Sequence, residues 1–248
     1  MSPKSSLPPL DGLPVLITAA GHGRRMGQPK LFVSHQGKSF LQHILERCRE
    51  SRSPVTLTYE RMMEKAVLAH LETITETINE TIAASTAPAG EYPQPRLVPA
   101  NGNHPMLASV RAALRLGGFE PGFWLWPVDA PFISPAGWDA ATAAVSRDPS
   151  VIWKLRYRDK AGNRVKTGHP TWFPFYTIPA IMAGNWNDGL RGLMKESPPE
   201  RIQVLQLEDE ILTDFNTPEE LARLDEAPVR PGTSGRHQTV PPKEGDGD

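Results

Sequence analysis

Between residues 13 and 225 the chain keeps changing its hydrophobic period, and that alternation restricts its fold more than any other feature. LPVLITA (13–19) is a short, continuous apolar run, the pattern of a strand buried on both faces. KSFLQHILERCRES then places Phe40, Leu41, Ile44, Leu45 and Cys48 at helical spacing. VTLTY (55–59) is β-branched and aromatic, and residues 60–84 carry Met63, Val67, Leu71, Ile74 and Ile78 on one helical stripe. The cycle continues with RLVPA as a short strand and HPMLASVRAALRLG as a helix closed by Gly117 and Gly118. GFWLWPV (122–128) is another buried strand, and SPAGWDAATAAVSRD is a helix with a serine cap and proline at its first position. VIWKLRY and residues near 165–173 read as strands, residues 178–183 and 189–196 as short helices, RIQVLQL as a strand and TPEELARL as a last helix. Strand alternating with helix predicts an α/β domain with a mainly parallel sheet.

The flanks read differently. Residues 1–12 are polar and proline-rich, a flexible lead, and residues 226–248 combine proline, glycine and charge in the manner of a disordered tail. ASTAPAGEYPQP reads as a loop. The domain between the flanks, 13–225, is long enough for one good core. A net charge of −1 gives no global basic footprint for nucleic acid, so any anion site must be local. The single cysteine, Cys48, excludes an internal disulfide and reads as a small packing residue of its helix. The seven histidines (His22, His35, His43, His70, His104, His169 and His237) show no metal-binding spacing. No apolar run approaches the roughly 20 residues of a membrane span, and the N-terminus lacks the apolar core of a secretory signal. A cytoplasmic protein, with no membrane partner, is the expectation.

Ligands of open α/β sheets bind beyond the carboxyl ends of the strands. That rule selects four places: the loop at 21–30, the loop at 100–106, Asp129 after GFWLWPV, and Asp214 to Asn216. The first is ITAAGHGRRMGQPK (17–30). Gly21, Gly23 and Gly27 are expected to turn through positive φ and let backbone approach a ligand, and successive N–H groups there would form an anion nest. Arg24, Arg25 and Lys30 add cationic charge suited to phosphates. The loop lacks the G-K-[ST] ending of a P-loop, and Met26 stands where a dinucleotide fingerprint has its third glycine.

AAGHGRRMGQPK resembles the A-A-G-x-[SG]-x-R-M-G-x-P-K signature of nucleotidyltransferases with a MobA-like NTP-transferase domain, and is most similar to their molybdenum cofactor cytidylyltransferase branch. Four further segments, in the family's order, carry the resemblance from about residue 13 to 225. HPMLASVRAAL matches the Ser-[LV]-Arg helix start at Ser109 and Arg111, and PVDAPFIS the Asp-x-Pro metal motif at Asp129 and Pro131. GHPTWFP matches the Gly-His-Pro segment at Gly168, His169 and Pro170, and DFNTPEEL the D-[IV]-D-T-P-E-[DE]-L ending.

The resemblance implies a three-layer αβα, Rossmann-like nucleotidyltransferase fold of the GT-A-like kind. It implies a Mg²⁺-dependent enzyme that transfers a nucleoside monophosphate to a phosphate-bearing acceptor such as molybdopterin and releases pyrophosphate. Backbone around Ala19, Ala20 and Gly21 would face the base, with Gly23, Gly27 and Ser109 completing the nucleotide site. Arg25, the signature arginine, and Lys30 would neutralise the departing pyrophosphate. Arg24 falls on a variable position and is open between a phosphate contact and a solvated charge. Asp129 would hold Mg²⁺ at the α-phosphate; a turn or helix cap is the alternative for a lone aspartate after a strand.

One position departs from the family. Asn216 stands where the second acid of the D-x-D pair belongs, leaving Asp129, Asn216 and Asp214 as the metal set. His169 and Lys166 border the family's acceptor pocket, although a lone histidine is more often structural. The 60–95 region and the strand with Trp124 and Trp126 offer either a distinct pocket or core packing. Guanylyltransferase relatives read L-A-G-G where this chain has Thr18-Ala19-Ala20-Gly21, so the Ala20 methyl favours CTP over GTP. The other readings are a non-catalytic nucleotide- or molybdopterin-binding factor that serves a molybdoenzyme, which Asn216 keeps open, and a sugar-phosphate nucleotidyltransferase.

Overall fold

The computed structural model describes residues 12–21, 23–83, 94–158, 165–207 and 215–225. Most of the expected lead, most of the 84–95 loop and the whole 226–248 tail lie outside the described residues, as do His22 and Asp214. Among the described residues the strands are β1 (Val15–Ala19), β2 (Ser34–His35), β3 (Lys38–Ser39), β4 (Val55–Glu60), β5 (Arg96–Ala100), β6 (Gly122–Pro127), β7 (Ile152–Arg158), β8 (Val165–Pro174) and β9 (Ile202–Leu207). The helices are α1 (Phe40–Glu50), α2 (Glu64–Ala83), α3 (Met106–Leu114), α4 (Pro135–Arg147), α5 (Ile178–Ala183), α6 (Leu190–Glu196) and α7 (Pro218–Asp225). Short 3₁₀ turns punctuate the loops.

One sheet holds seven strands in the order β5-β4-β1-β6-β8-β7-β9. Neighbours pair in parallel except around β8, which runs against both β6 and β7. The mainly parallel sheet is as expected. The reversal of β8 follows from chain length, since too few residues separate Arg158 from Val165 for a crossover helix. The chain moves outward from β1 through β4 to β5, then returns to place β6 on the other side of β1. The switch point of the sheet therefore lies between β1 and β6, with a crevice at their carboxyl ends.

Both faces of the sheet are covered, because the strands alternate side chains between two apolar layers. Ile17, Trp124, Trp126, Trp153 and Leu155 face α1, α2 and α4, whereas Leu16, Phe123, Leu125, Ile152 and Phe173 face α3, α5 and α6. The α2 stripe expected from sequence packs as drawn, with Val67, Leu71, Ile74 and Ile78 buried. Trp124 and Trp126 are fully buried, and Trp138 of α4 lies 5.3 and 4.9 Å from their rings. They are core residues. Cys48 is fully buried in α1, and burial pushes its thiol pKa up, in keeping with a packing role.

Two local features differ from the sequence reading. The long helix begins at Glu64, because Glu60 closes β4 and Arg61–Met63 form a 3₁₀ turn. A small hairpin, β2–β3, precedes α1, its turn made by Gln36 (φ 52°) and Gly37 (φ 78°). The hairpin delivers Ser39 as the cap of α1, its hydroxyl accepting from Gln42 N at 3.1 Å. Among the described residues no helix is long and apolar enough to cross a membrane.

Candidate functional site

The loop after β1 is held by two turns and two anchors. Gly23 (φ 60°) and Gly27 (φ 72°) bracket the 3₁₀ turn Arg24–Met26. A Cβ on Gly23 would lie 2.1 Å from the Gln28 carbonyl oxygen, so both its conformation and its surroundings require glycine. Gly21 corrects the expectation of three such glycines: it is not at positive φ, and a Cβ there meets nothing within 4 Å. Met26 and Leu31 are buried and pin the loop to the core, leaving Arg24 and Arg25 exposed.

Lys30 is the centre of the site. Its Nζ donates to Asp129 Oδ2 and to Asn216 Oδ1, each at 2.8 Å, and Arg25 approaches the same amide oxygen at 3.4 Å. Both acceptors come from loops that the tertiary fold brings together. Asp129 follows β6 in a turn closed by Ala130 N on Pro127 O at 3.1 Å, and Trp126 Nε1 donates to Ala130 O at 2.8 Å. Phe215 N donates to Asp129 O at 2.8 Å, and the Phe215 ring sits 5.3 Å from Phe132 and 6.0 Å from Phe40. Asn216 is thereby set beside Asp129. Thr217 and Glu220 form a capping box for α7: Thr217 Oγ1 accepts from Glu220 N, and Glu220 Oε2 accepts from Thr217 N, both at 3.3 Å. Glu220 Oε2 also accepts from Asn216 N at 2.6 Å. The helix-start and ligand readings of this segment are thus compatible.

A cavity of about 190 Å³ opens between the ends of β1 and β6 and the start of α3. Ala19, Ala20, Gly21, Gly23, Lys30, Ser109 and Asp129 line it, joined by His104 and Met106. Arg25 and Gly27 lie outside this lining. Gly27 closes the turn, and Arg25 stands by Asn216. Glu60 contributes a role that sequence reading missed, since its carboxylate accepts from Gly102 N and fixes the 100–106 loop over the cavity. A buried acid at the end of an apolar strand, in VTLTYE, was the available signal. Thr18 lies at the base of the cavity with its buried hydroxyl unbonded among the described residues. Arg111 points away from the cavity to tie α3 to α5, donating to Ile181 O at 2.8 Å and to Gly184 O.

His169 and Lys166 lie on β8, outside the cavity lining, and the Lys166 side chain is outside the described residues. Because β8 is antiparallel, its first half lies at the same edge of the sheet as Asp129. Two cations of the neighbouring β7 went unnoticed in the sequence, Lys154 level with Leu125 of β6 and Arg156 nearer the Asp129 edge. Lys154 and Arg156 share the face of β7 that also carries Ile152, opposite Thr171 and Thr167 of β8. Both are half-buried, and burial pulls the Lys154 pKa down, with Arg156 pushing the same way. Their signal was the alternation in IWKLRYR, where polar residues on every second position of an inner strand have no reason to face a helix layer.

Among the described residues no three His, Cys, Asp or Glu side chains gather to hold a metal ion. Instead, one carboxylate and one amide oxygen converge on a single cation.

Comparison with known proteins identifies the family and the fold. A family model described as the MobA-like NTP transferase domain matches residues 15–202. No curated protein sequence matches the chain. Among solved structures, Rv0371c from Mycobacterium tuberculosis H37Rv is similar with a TM-score of 0.62 at 21% identity, over 87% of this chain and 99% of that one. Its complex with manganese gives 0.58 at 20%, over 87% and 99%. CMP:2-keto-3-deoxy-manno-octonic acid synthetase complexed with CTP gives 0.60 at 11%, over 87% and 98%. At these identities the likeness speaks for the fold.

Proposed function

This chain belongs to the MobA-like NTP transferase domain family, and on that premise we propose that it is a cytidylyltransferase acting on a phosphate-bearing acceptor such as molybdopterin cofactor. The observation that carries the reading is the convergence of Lys30, Asp129, Asn216 and Arg25 beside a cavity at the sheet's switch point. In the proposed reaction an acceptor phosphate oxygen forms a bond to the α-phosphorus of CTP. The bond from that phosphorus to the bridging oxygen breaks, and pyrophosphate leaves with the electron pair. Lys30 and Arg25 are placed to take up the charge that develops on pyrophosphate. Ala20 lines the cavity, where its methyl group would leave less room for a purine than glycine would, and a structural neighbour of the same fold was solved in complex with CTP.

The donor set fits a hard divalent cation, because two oxygens already hold the Lys30 ammonium at 2.8 Å each. Asp129 and Asn216 would hold Mg²⁺, which would offset α-phosphate charge as the acceptor approaches.

In-line displacement puts the acceptor opposite the leaving pyrophosphate. Pyrophosphate would lie over the loop after β1, so the acceptor enters from the β8–β7 side. Lys154 and Arg156 are half-buried cations on that side. Arg156 is about two strand spacings, roughly 10 Å, from the end of β6. They are proposed to receive the acceptor's phosphate, with His169 and Lys166 nearby. Arg156→Met is expected to raise KM for the acceptor roughly tenfold or more while leaving CTP binding within twofold. An equal loss of CTP affinity would remove Arg156 from the acceptor side.

The reading is tested by a panel of nucleoside triphosphates with Mg²⁺, scored first by thermal shift and then by pyrophosphate release with molybdopterin and with sugar phosphates. CTP should give the largest shift, and release should require acceptor. A second reading, a nucleotide-binding factor without turnover, is favoured by Asn216 in place of a second acid. Binding of CTP with no pyrophosphate release from any acceptor would establish it instead.

A further inference from the structure

Lys30 lies where a divalent cation would lie: its Nζ is 2.8 Å from Asp129 Oδ2 and 2.8 Å from Asn216 Oδ1. An ammonium seated on both oxygens competes with a metal ion for them, by occupying lone pairs and by charge repulsion. We infer that Lys30 is a resident cation that closes the metal site until a nucleotide arrives. Triphosphate oxygens then draw the ammonium off Asp129 and Asn216, and the divalent cation enters with the nucleotide. The inference rests on the proposed nucleotide site and concerns the order in which that site fills.

Three observations carry it. First, the closure is built rather than incidental. Leu31 is fully buried and Asp129 and Asn216 are locked together by the Phe215 N–Asp129 O bond, so donor and acceptors are held on rigid supports. Second, the carboxylate is matched to the ammonium. Among the described residues Lys30 forms an ion pair with Asp129 and takes its second oxygen from the neutral Asn216 amide, whereas a carboxylate at position 216 would leave negative charge for a metal ion beside the ammonium. Third, the ammonium has somewhere to go, because Lys30 also lines the cavity in which the phosphates would lie. Mg²⁺ commonly binds through one or two carboxylates plus substrate phosphates, so a site short of ligands until nucleotide arrives suits that ion.

The consequence has an unusual sign. Lys30→Met should weaken CTP binding and at the same time strengthen metal binding to the nucleotide-free protein. The probe is Mn²⁺ alone, followed by loss of the free-ion electron paramagnetic resonance signal on titration with protein, with no nucleotide present. Lys30→Met is expected to bind Mn²⁺ roughly tenfold or more tightly than the unaltered protein, given the strength of charge-assisted hydrogen bonds to a carboxylate. Lys30→Gln should do the same, which guards against a folding artefact in either variant. Adding Asp129→Asn to Lys30→Met should abolish the gain. The inference is overturned if the Lys30 variants bind Mn²⁺ no better than the parent, or if the gain survives loss of Asp129. CTP binding is measured separately by thermal shift on the same proteins. Its absence in the parent would count against the proposed function, while the nucleotide-free Mn²⁺ titrations would still decide the role of Lys30.

Discussion

Asp129→Ala is expected to lower acceptor-dependent pyrophosphate release by two to three orders of magnitude, the usual cost of deleting one preorganised electrostatic element at a reacting phosphate. The magnitude follows from position. Asp129 is the carboxylate that the Lys30 ammonium pairs with, at 2.8 Å, and it stands at the carboxyl end of β6 beside the cavity. Its removal takes away the proposed metal ligand and leaves Lys30 with Asn216 only. The backbone of residue 129 should stay in place, because Phe215 N bonds its carbonyl and the Trp126 indole bonds the next one. The folded state should therefore survive, and the loss should fall on kcat more than on stability. Single-turnover pyrophosphate release, read beside a thermal melt, checks both parts. Release within tenfold of the parent would exclude Asp129 from the chemistry.

Phe215→Ala should produce the largest loss of stability among changes near the site, about 3–4 kcal/mol in denaturant unfolding, as for other buried aromatics cut to alanine. Phe215 is 2% exposed and touches the rings of Phe40 and Phe132. Those three rings join α1, the segment after Asp129 and the segment that carries Asn216. A cavity among them frees the Asn216 segment, so CTP-dependent turnover should also fall in the protein that remains folded. Phe215→Leu retains most of the volume and should cost under about 1.5 kcal/mol. Equal destabilisation by leucine and alanine would show that ring packing is not what holds the two segments together.

Much of this architecture was legible in the chain because it depends on local periodicity. A continuous apolar run such as LPVLITA has no exposed face and must lie inside a sheet. The stripe from Val67 to Ile78 has one apolar side and must lie on it. Ser134 and Pro135 start α4 as their chemistry requires, the serine hydroxyl accepting from Gly137 N at 3.0 Å. The glycine loop was legible as well, since a turn such as Gly23, where a Cβ would strike the Gln28 carbonyl, admits one residue type. Gly21 was misjudged, because a glycine with neither positive φ nor a close neighbour looks the same in sequence as one that needs both.

The site's pairings were not legible. Nothing in RRMGQPK shows that Lys30 rather than Arg25 would take the aspartate, or that one ammonium would bridge Asp129 and Asn216. Those contacts join residues 99 and 186 positions apart. They exist because β6 returns next to β1, and because a buried phenylalanine and one backbone hydrogen bond seat the 215–217 segment on the Asp129 turn. Arg111, a motif residue, proved to brace α3 against α5, while Glu60, Lys154 and Arg156, which belong to no motif, emerged from topology. Hydrophobic period and glycine stereochemistry act over a few residues and can be read along the chain. Which charges meet is decided by strand order, since only the completed sheet determines which loops share an edge.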